Sequence, residues 1–491
     1  MRMKLNPERG ALIGLGCLGL AAEALYLAFF PIIAANHDIR PLMAEGCWLS
    51  RTITVDLGTW MARHHLLGCG PALPLCWGIT WLGAVWLTRF LDSPAGRRSA
   101  CYIAVAGLCV FAFTFMLCPN LSSFDALVYL RAGRIAAIHH QNPYVTMIGS
   151  VKDDELAADM GPYVDLDQAP PYGPLWLGSC TALVSLSGHD VFWNMMALRI
   201  MNVLLFLLLC LVAWRLASRQ GPETALQCLF WIGWSPFVLF EGVGDCHIDL
   251  ALALGATTFF WLASRQDWRA ASLALGLTCA IKYSAWFLVP LFGAYQFRVG
   301  QRQRLVPLLL FAAPMLGGFL FYGTAMTGSI RQSLQLMGHY SNSFVMVAHY
   351  VIGHALLRLG ASNQSVLLVL DGIRHLCTLV FLAYVGVVTW RLGSDFEGLV
   401  ARGAECSGLQ HILVVSYFHP WYLLVPLTLA FVSASRLRTA LVVFALTSFY
   451  MEVFWVETSS QSEAMLKLSA ILAVPVLLTV LAMSRKPKGA S

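Results

Sequence analysis

Apolar residues run along this chain in blocks of about twenty, each long enough to cross a hydrocarbon core of roughly 30 Å. The blocks recur from end to end and are parted by short polar breaks. The first runs from about Gly10 to Ile33, the second from about Leu66 to Leu87 and the third from about Ala100 to Leu117. This pattern predicts an all-α, polytopic integral membrane protein with about fourteen transmembrane helices, residues 1–491 forming a single membrane domain. One stretch differs. Asp125-Ala-Leu-Val-Tyr129-Leu-Arg131-Ala-Gly133-Arg134, followed by Asn142-Pro143-Tyr144, offers an acid, phenols and guanidinium groups where the chain stops being apolar.

Charge placement orients the blocks, because Lys and Arg concentrate on the cytoplasmic side of short loops. With the N-terminus inside, Arg89, Arg97 and Arg98 fall inside and segment 118–170 falls outside. Its second half is acidic (Asp153, Asp154, Glu155, Asp159, Asp165, Asp167), and 118–190 reads as an exterior catalytic loop. Within it, Phe124 to His139 has helical spacing, with Leu127, Leu130 and Ile138 toward one side. An amphipathic helix at the membrane surface is expected, ended by Asn142-Pro143. Asp125 and Tyr129, four apart, project from one face. The run from Tyr172 to about Leu186 is ambiguous. If it only dips into the outer leaflet, Arg215 and Arg219 lie inside. The clusters at Arg265 and Arg269, Arg298 to Arg304, Arg391, Arg436 and Arg438, and Arg485 to Lys488 then follow suit. The charge pattern therefore favours a partly inserted helix here. It places the breaks at Glu241 to Asp249, Lys282-Tyr283, about 324–345, His419 to Tyr422 and Glu457 to Glu463 on the exterior.

Composition agrees. The chain is 58% hydrophobic and 12% charged, whereas soluble domains carry charge on about a quarter of their residues. A net charge of +6 with no basic tract before Arg485-Lys486-Pro487-Lys488 gives no sign of a nucleic-acid partner. The fourteen cysteines show no CxxC or Cys/His ligand spacing, so a zinc site is not expected. Cys47, Cys118 and Cys246 face the exterior with Cys69 near it, as small core residues or as a disulfide pair. Arg2, Lys4 and Arg9 ahead of the first block imitate a secretory signal, but the block exceeds a signal core. An uncleaved helix is expected, with cleavage after Ala34-Ala35 the alternative.

An ionisable residue at membrane depth is a functional candidate, while a surface acid is not. Asp125 therefore reads either as a solvated carboxylate or helix cap, or as an acid working with Tyr129, Arg131 and Arg134. Asp245, His247 and Asp249 fit a loop that positions substrate hydroxyls or phosphate. Metal binding and plain solvation remain open, since three ligands without a fourth are a weak signal. Lys282 is either a snorkelling residue or a compact cation for a phosphate. His419-Pro420-Trp421-Tyr422 combines ordinary interface aromatics with a histidine that needs a partner.

These residues resemble the GT-C superfamily of polyprenyl-phosphate-sugar-dependent glycosyltransferases, and most closely its bacterial polyprenol-phosphate mannosyltransferase group. The likeness is carried by the Asp125 to Tyr144 stretch, Pro170-Pro171-Tyr172-Gly173-Pro174-Leu175-Trp176, Ser235 to Asp249, Ala280-Ile281-Lys282-Tyr283 and Phe418 to Tyr422, in that order. The resemblance implies an inverting glycosyltransferase that moves a sugar, mannose first among candidates, from a polyprenyl-phosphate donor to a glycan or glycolipid acceptor. The reaction would occur on the exterior, periplasmic face of a bacterial inner membrane. Asp125 would be the general base, and Lys282, Arg131 or Arg134 the donor-phosphate cations. Tyr129, Asn142, Tyr144, Tyr172, Glu241, Asp245, His247, Asp249, Tyr283, His419, Trp421 and Tyr422 would contact substrate. No cofactor or divalent metal is implied. The chain departs from the family pattern in carrying Asp245 where Asn or Gln is common, and in an extra pair of N-terminal spans. Glu241, Asp245 and Asp249 stand in reserve as the acid. Two other functions compete: a lipid-linked sugar flippase, and a polysaccharide ligase or polymerase with a lipid-diphosphate donor.

Overall fold

The computed structural model describes residues 7–36, 46–52, 56, 59–60, 63, 72–118, 123–160, 168–301, 305–336, 343–433, 435–453 and 461–484. Asp165, Asp167, Cys69, the break at 457–460 and the basic tail Arg485 to Lys488 lie outside them. The described chain is helical, with short 3-10 and π segments between α-helices. Two compact units are present: Met1–Tyr283 with Leu309–Ser329, and Ser284–Leu308 with Ile330–Ser491.

The first unit contains α1 (Pro7–Asn36), α2 (Ala72–Trp81), α3 (Pro94–Leu117), α4 (Asp125–Ala137), α5 (Pro174–Ser187), α6 (Val191–Ala217), α7 (Pro222–Gly233), α8 (Asp249–Ser264), α9 (Trp268–Ile281) and most of α10 (Leu305–Tyr322). Polar caps set several starts. Ser93 accepts the Gly96 N–H at 2.9 Å with Pro94 at the first helical position, Asp190 accepts from Trp193 at 3.0 Å, and Asp267 accepts from Ala270 at 3.1 Å. Each satisfies an N–H that has no partner inside its helix.

Five helices among the described residues are long and apolar enough to cross a membrane: Pro7–Ala28, Pro94–Leu117, Val191–Gln220, Leu305–Ser333 and Asn363–Arg391. A sixth appears if Pro222–Gly233 and Val238–Gly244, bent by 58°, count as one span. The helical class holds, while the fourteen spans expected are not confirmed among the described residues. Many apolar runs fold instead as helices of 10–17 residues, among them Pro174–Ser187, Asp249–Ser264 and Trp268–Ile281. At 1.5 Å per residue a fourteen-residue helix covers about 21 Å, less than a hydrocarbon core.

The bend after α7 shows how an interrupted span is kept polar-satisfied. Pro236 halts the α-helix, and the Trp234 carbonyl accepts instead from Thr80 Oγ1 at 2.8 Å and Tyr26 OH at 3.2 Å. The Trp234 indole is fully buried and donates Nε1–H to Ala104 O at 3.0 Å. The chain then enters a π-helical turn, Val238–Gly244, that carries Glu241. Such turns insert one extra residue into the helical repeat and are frequent at functional sites.

The Asp125 helix differs from the amphipathic surface helix expected. Ala126 to Ile135 are buried on every side, so α4 is a core element of its unit. It ends at Ala137, before Asn142-Pro143, because His140 takes a left-handed conformation (φ 53°) and the Gln141 N–H turns back to Ile135 O.

In the second unit, α11 (Asn363–Arg391) and α12 (Phe396–Leu413) precede α13 (Arg438–Val453). The buried Glu405 of α12 ties it to α11 and to the turn before α13, taking Arg402 Nη1 at 2.5 Å, Arg436 Nε at 2.9 Å and the Tyr384 hydroxyl at 2.9 Å. Pairing a buried carboxylate this fully is what makes it tolerable away from water.

Candidate active site

Asp125 is the first residue of α4, its own N–H accepted by Ser123 Oγ at 3.1 Å. Its side chain is 26% exposed, the open end of an otherwise buried helix. One turn on, the Tyr129 hydroxyl donates to Asp125 Oδ2 at 3.2 Å and accepts the Ile248 N–H at 3.4 Å. The Tyr129 ring stands edge-on to Tyr172 and Trp176, with centroids at 5.0 and 5.2 Å. Burial, then the neighbouring Asp125 carboxylate, push its phenol well above the ordinary value, so it serves as a hydrogen-bond donor rather than an anion.

The loop after the π turn brings His247 beside this pair. His247 Nδ1 lies 3.6 Å from Asp125 Oδ2, and Nε2 lies 3.5 Å from Glu241 Oε2. Cys246, in a left-handed conformation (φ 59°), makes the reversal that aims His247 inward. Two residues later Asp249 opens α8 and accepts two hydrogen bonds from the Lys282 ammonium, at 2.9 and 2.8 Å. Lys282 stands at the end of α9 with 19% of its side chain exposed. Asp125, Tyr129, Glu241, His247, Asp249 and Lys282 thus belong to one neighbourhood of the first unit.

Glu241, Asp245 and His247 are fully buried, and each offers a ligand atom within 4.8 Å of the others. Two oxygens and an imidazole nitrogen form a donor set that can hold a divalent transition metal. If Nε2 were the ligand, Nδ1–H would face the Asp125 carboxylate, the usual outer partner of a metal-bound histidine.

The other motifs weave the framework under this neighbourhood. Asn142 makes a turn in which its Oδ1 accepts the Tyr144 N–H at 3.0 Å, while its Nδ2 donates to Tyr322 O at 3.0 Å. Tyr144, 5% exposed, donates its hydroxyl to Tyr172 O at 2.8 Å. Burial, then Tyr283, raise its phenol far above the ordinary range. Tyr283 meets Ser329 hydroxyl to hydroxyl at 2.7 Å. Gly173 donates its N–H to Ile281 O at 2.9 Å, and a Cβ there would lie 2.1 Å from Ala280 O. Only glycine permits so close an approach, which seats the Pro-Pro-Tyr-Gly-Pro stretch directly against Lys282's own segment.

Arg131 and Arg134, expected as donor-phosphate cations, are turned toward Asp154. Both are 1–2% exposed and engage Asp154, Arg131 through Nη1 at 2.7 Å and Arg134 through Nε at 3.0 Å. Their position on α4 explains this: nine residues at about 100° each put Arg134 on the side opposite Asp125. His419, Trp421 and Tyr422 lie in the second unit, where His419 stacks on Trp421 at 4.2 Å. Asp154, Ser329 and Tyr322 escaped the sequence reading. Asp154 sits in an acidic run with nothing to distinguish it, and the other two are isolated polar groups on apolar helices.

The chain matches the model of one family, described as alpha-(1->6)-mannopyranosyltransferase, N-terminal domain, over residues 24–298. No curated protein and no solved structure matches it. That match spans more than half of the chain and contains Asp125, the His247 loop and Lys282, and by it the protein belongs to the alpha-(1->6)-mannopyranosyltransferase family.

Proposed function

We propose that this mannosyltransferase is a multi-pass enzyme that takes mannose from a polyprenyl-phosphate donor and passes it, with inversion, to a glycan or lipid-linked acceptor on the exterior face of a bacterial inner membrane. The supporting observation is the convergence of Asp125, Tyr129 and His247 with the Asp249–Lys282 pair. Asp125 is exposed enough to meet an acceptor hydroxyl and is held from behind by the Tyr129 hydroxyl. In the step itself Asp125 removes the proton of the acceptor hydroxyl as its oxygen bonds to C1 of mannose. The bond from C1 to the phosphate oxygen breaks on the opposite face, and the polyprenyl phosphate leaves with that electron pair. A β-linked donor inverted once gives the α linkage in the family's description.

Lys282 meets the negative charge that grows on the leaving phosphate, a compact cation oriented by Asp249. Arg131 and Arg134 have no part in this step. His247 lies beside Asp125, with the buried Glu241 behind it on the other ring nitrogen, and holds the loop against the base. No divalent metal is required, because a lysine already serves the phosphate.

The test uses purified protein in nanodiscs with radiolabelled polyprenyl-phosphate mannose and a mannoside acceptor. Wild-type protein transfers label with or without EDTA, and Asp125→Asn abolishes transfer while keeping its size-exclusion profile and unfolding midpoint. Full turnover by Asp125→Asn removes Asp125 as the base. Loss of turnover in EDTA, restored by a divalent cation, assigns Glu241, Asp245 and His247 to a metal instead. Label that crosses vesicles unconsumed replaces transfer with flipping.

A further inference from the structure

Behind the α4 helix, on the side away from Asp125, one carboxylate gathers an unusual number of partners. Asp154 is 6% exposed and binds Arg131 Nη1 at 2.7 Å, Arg134 Nε at 3.0 Å, His139 Nε2 at 2.7 Å and the Leu156 N–H at 2.9 Å. Its three basic partners all come from α4 and the turn just after it. Arg134 spreads its remaining reach outward, donating Nη1–H to His189 O at 2.5 Å and to Asn194 Oδ1 at 2.7 Å. Asn194 in turn donates Nδ2–H to Ser187 Oγ and Gly188 O, both at 2.8 Å. Arg131 adds a bond from Nε to Ile148 O at 3.3 Å. A single acid therefore fixes α4 to the 148–156 loop, and through Arg134 to the turn between α5 and α6.

We propose that Asp154 is a positioning residue for the transfer reaction, setting the rotation and depth of α4 and so the place of Asp125. The inference rests on the reading of Asp125 as the base. Asp125 and Arg134 are nine residues apart on one rigid helix, a lever of about 14 Å. A slip of one residue at the Asp154 end would rotate Asp125 by about 100°, away from His247 and toward the core. Smaller shifts matter too, since a misplacement of about 1 Å in a reacting group costs about a hundredfold in rate. The multiplicity of partners has a physical sense here: the planar Arg134 guanidinium is shared between Asp154, His189 O and Asn194 Oδ1, which fixes direction as well as distance, where a lone ion pair would fix only distance.

Asp154→Asn strands two buried guanidinium groups and is a poor probe. Asp154→Glu keeps the charge and displaces it by one methylene, and Arg134→Lys keeps the charge and loses the fork. Each is measured for kcat, for KM toward donor and acceptor, and for unfolding midpoint. Each is also built in an Asp125→Cys background, where the alkylation rate at position 125 by a water-soluble maleimide is read by peptide mass spectrometry. The expected result is kcat lower by about tenfold or more with both KM values unchanged, and an alkylation rate changed about fivefold. Variants that lower the midpoint but leave kcat and the alkylation rate alone overturn the proposal and make Asp154 a stabilising residue only. Failure of the underlying reading looks different: alkylation at position 125 shifts with Asp154→Glu, yet Asp125→Asn still turns over. In that case the helix is positioned as proposed and Asp125 is not the base.

Discussion

The Tyr129 hydroxyl donates to Asp125 Oδ2 at 3.2 Å while accepting the Ile248 N–H at 3.4 Å, so one phenol couples the α4 acid to the His247 loop. Tyr129→Phe removes the hydroxyl and keeps the ring against Tyr172 and Trp176. A hydrogen bond to a charged group contributes about 1.5–3 kcal/mol, so kcat should fall about tenfold to a hundredfold. The unfolding midpoint should fall modestly, since the buried Ile248 N–H loses its acceptor as well. Initial rates and scanning fluorimetry on the same preparation check both, and an unchanged kcat would mean that the phenol does not orient Asp125.

The Asp249–Lys282 pair separates stability from chemistry. Lys282→Met leaves Asp249, 3% exposed, without its cation, a loss of about 3–5 kcal/mol. Adding Asp249→Asn should return much of the stability. Transfer should remain lost in both, because no cation then faces the leaving phosphate. Recovery of rate along with stability in the double variant would end the phosphate role of Lys282.

Gly173→Ala tests the backbone contact under the lysine. A Cβ built there lies 2.1 Å from Ala280 O, and carbonyl backbone cannot swing aside as a side-chain tip can. Overpacking of this kind costs about 1–3 kcal/mol, and displacement of Ile281 should carry Lys282 with it. Lower midpoint and weaker donor binding are expected together. A parent-like midpoint would show that the Gly173–Ile281 bond is dispensable.

Asp154 predicts an acid limit. Burial opposes its charge, but the His139 contact, the Leu156 amide and the guanidinium groups of Arg134 and Arg131 outweigh burial and lower its value. Asp153 and Glu155, the latter 3.9 Å from Arg134, add negative charge nearby. A carboxyl lowered in the folded state contributes stability that is complete above the unfolded value and lost as pH falls through the folded one. The contribution should be intact at about pH 5 and vanish as pH drops below the ordinary 3.8. For this titration, unlike for helix position, the non-ionising Asp154→Asn is the informative variant: it should be less stable at every pH and lack the acid loss, and a decline parallel to wild type from about pH 7 downward would assign that loss to other carboxyls.

The helical class was legible because apolar block length is a local property of the sequence, whereas the caps at Ser93, Asp190 and Asp267 that fix individual helix starts came with the structure. The number of spans was not, since block length alone cannot tell a crossing helix from a fourteen-residue one halted at Gly188. Within the site, the four-residue spacing of Asp125 and Tyr129 was readable as a shared face. The same rule, carried on to Arg134, places it on the far side. Asp154 was beyond reach: Asp153, Asp154 and Glu155 are alike in sequence, and only the fold chooses which one the arginines find. Tyr144 and Tyr172 were expected to contact substrate, but whether a phenol faces a ligand or its own backbone, as Tyr144 does at Tyr172 O, is a long-range outcome.

Gly173 and Ile281 are about a hundred residues apart, and their bond gives the site a place in time as well as in space. A ribosome adds about 5–20 residues per second, so α4 and α5 exist for roughly five to twenty seconds before the segment that holds Lys282 is made. Asp249 likewise waits for its cation until α9 is complete. The half of the neighbourhood that carries Asp125 is thus synthesised first, and the newborn chain cannot bring Asp125, Asp249 and Lys282 together until α9 emerges.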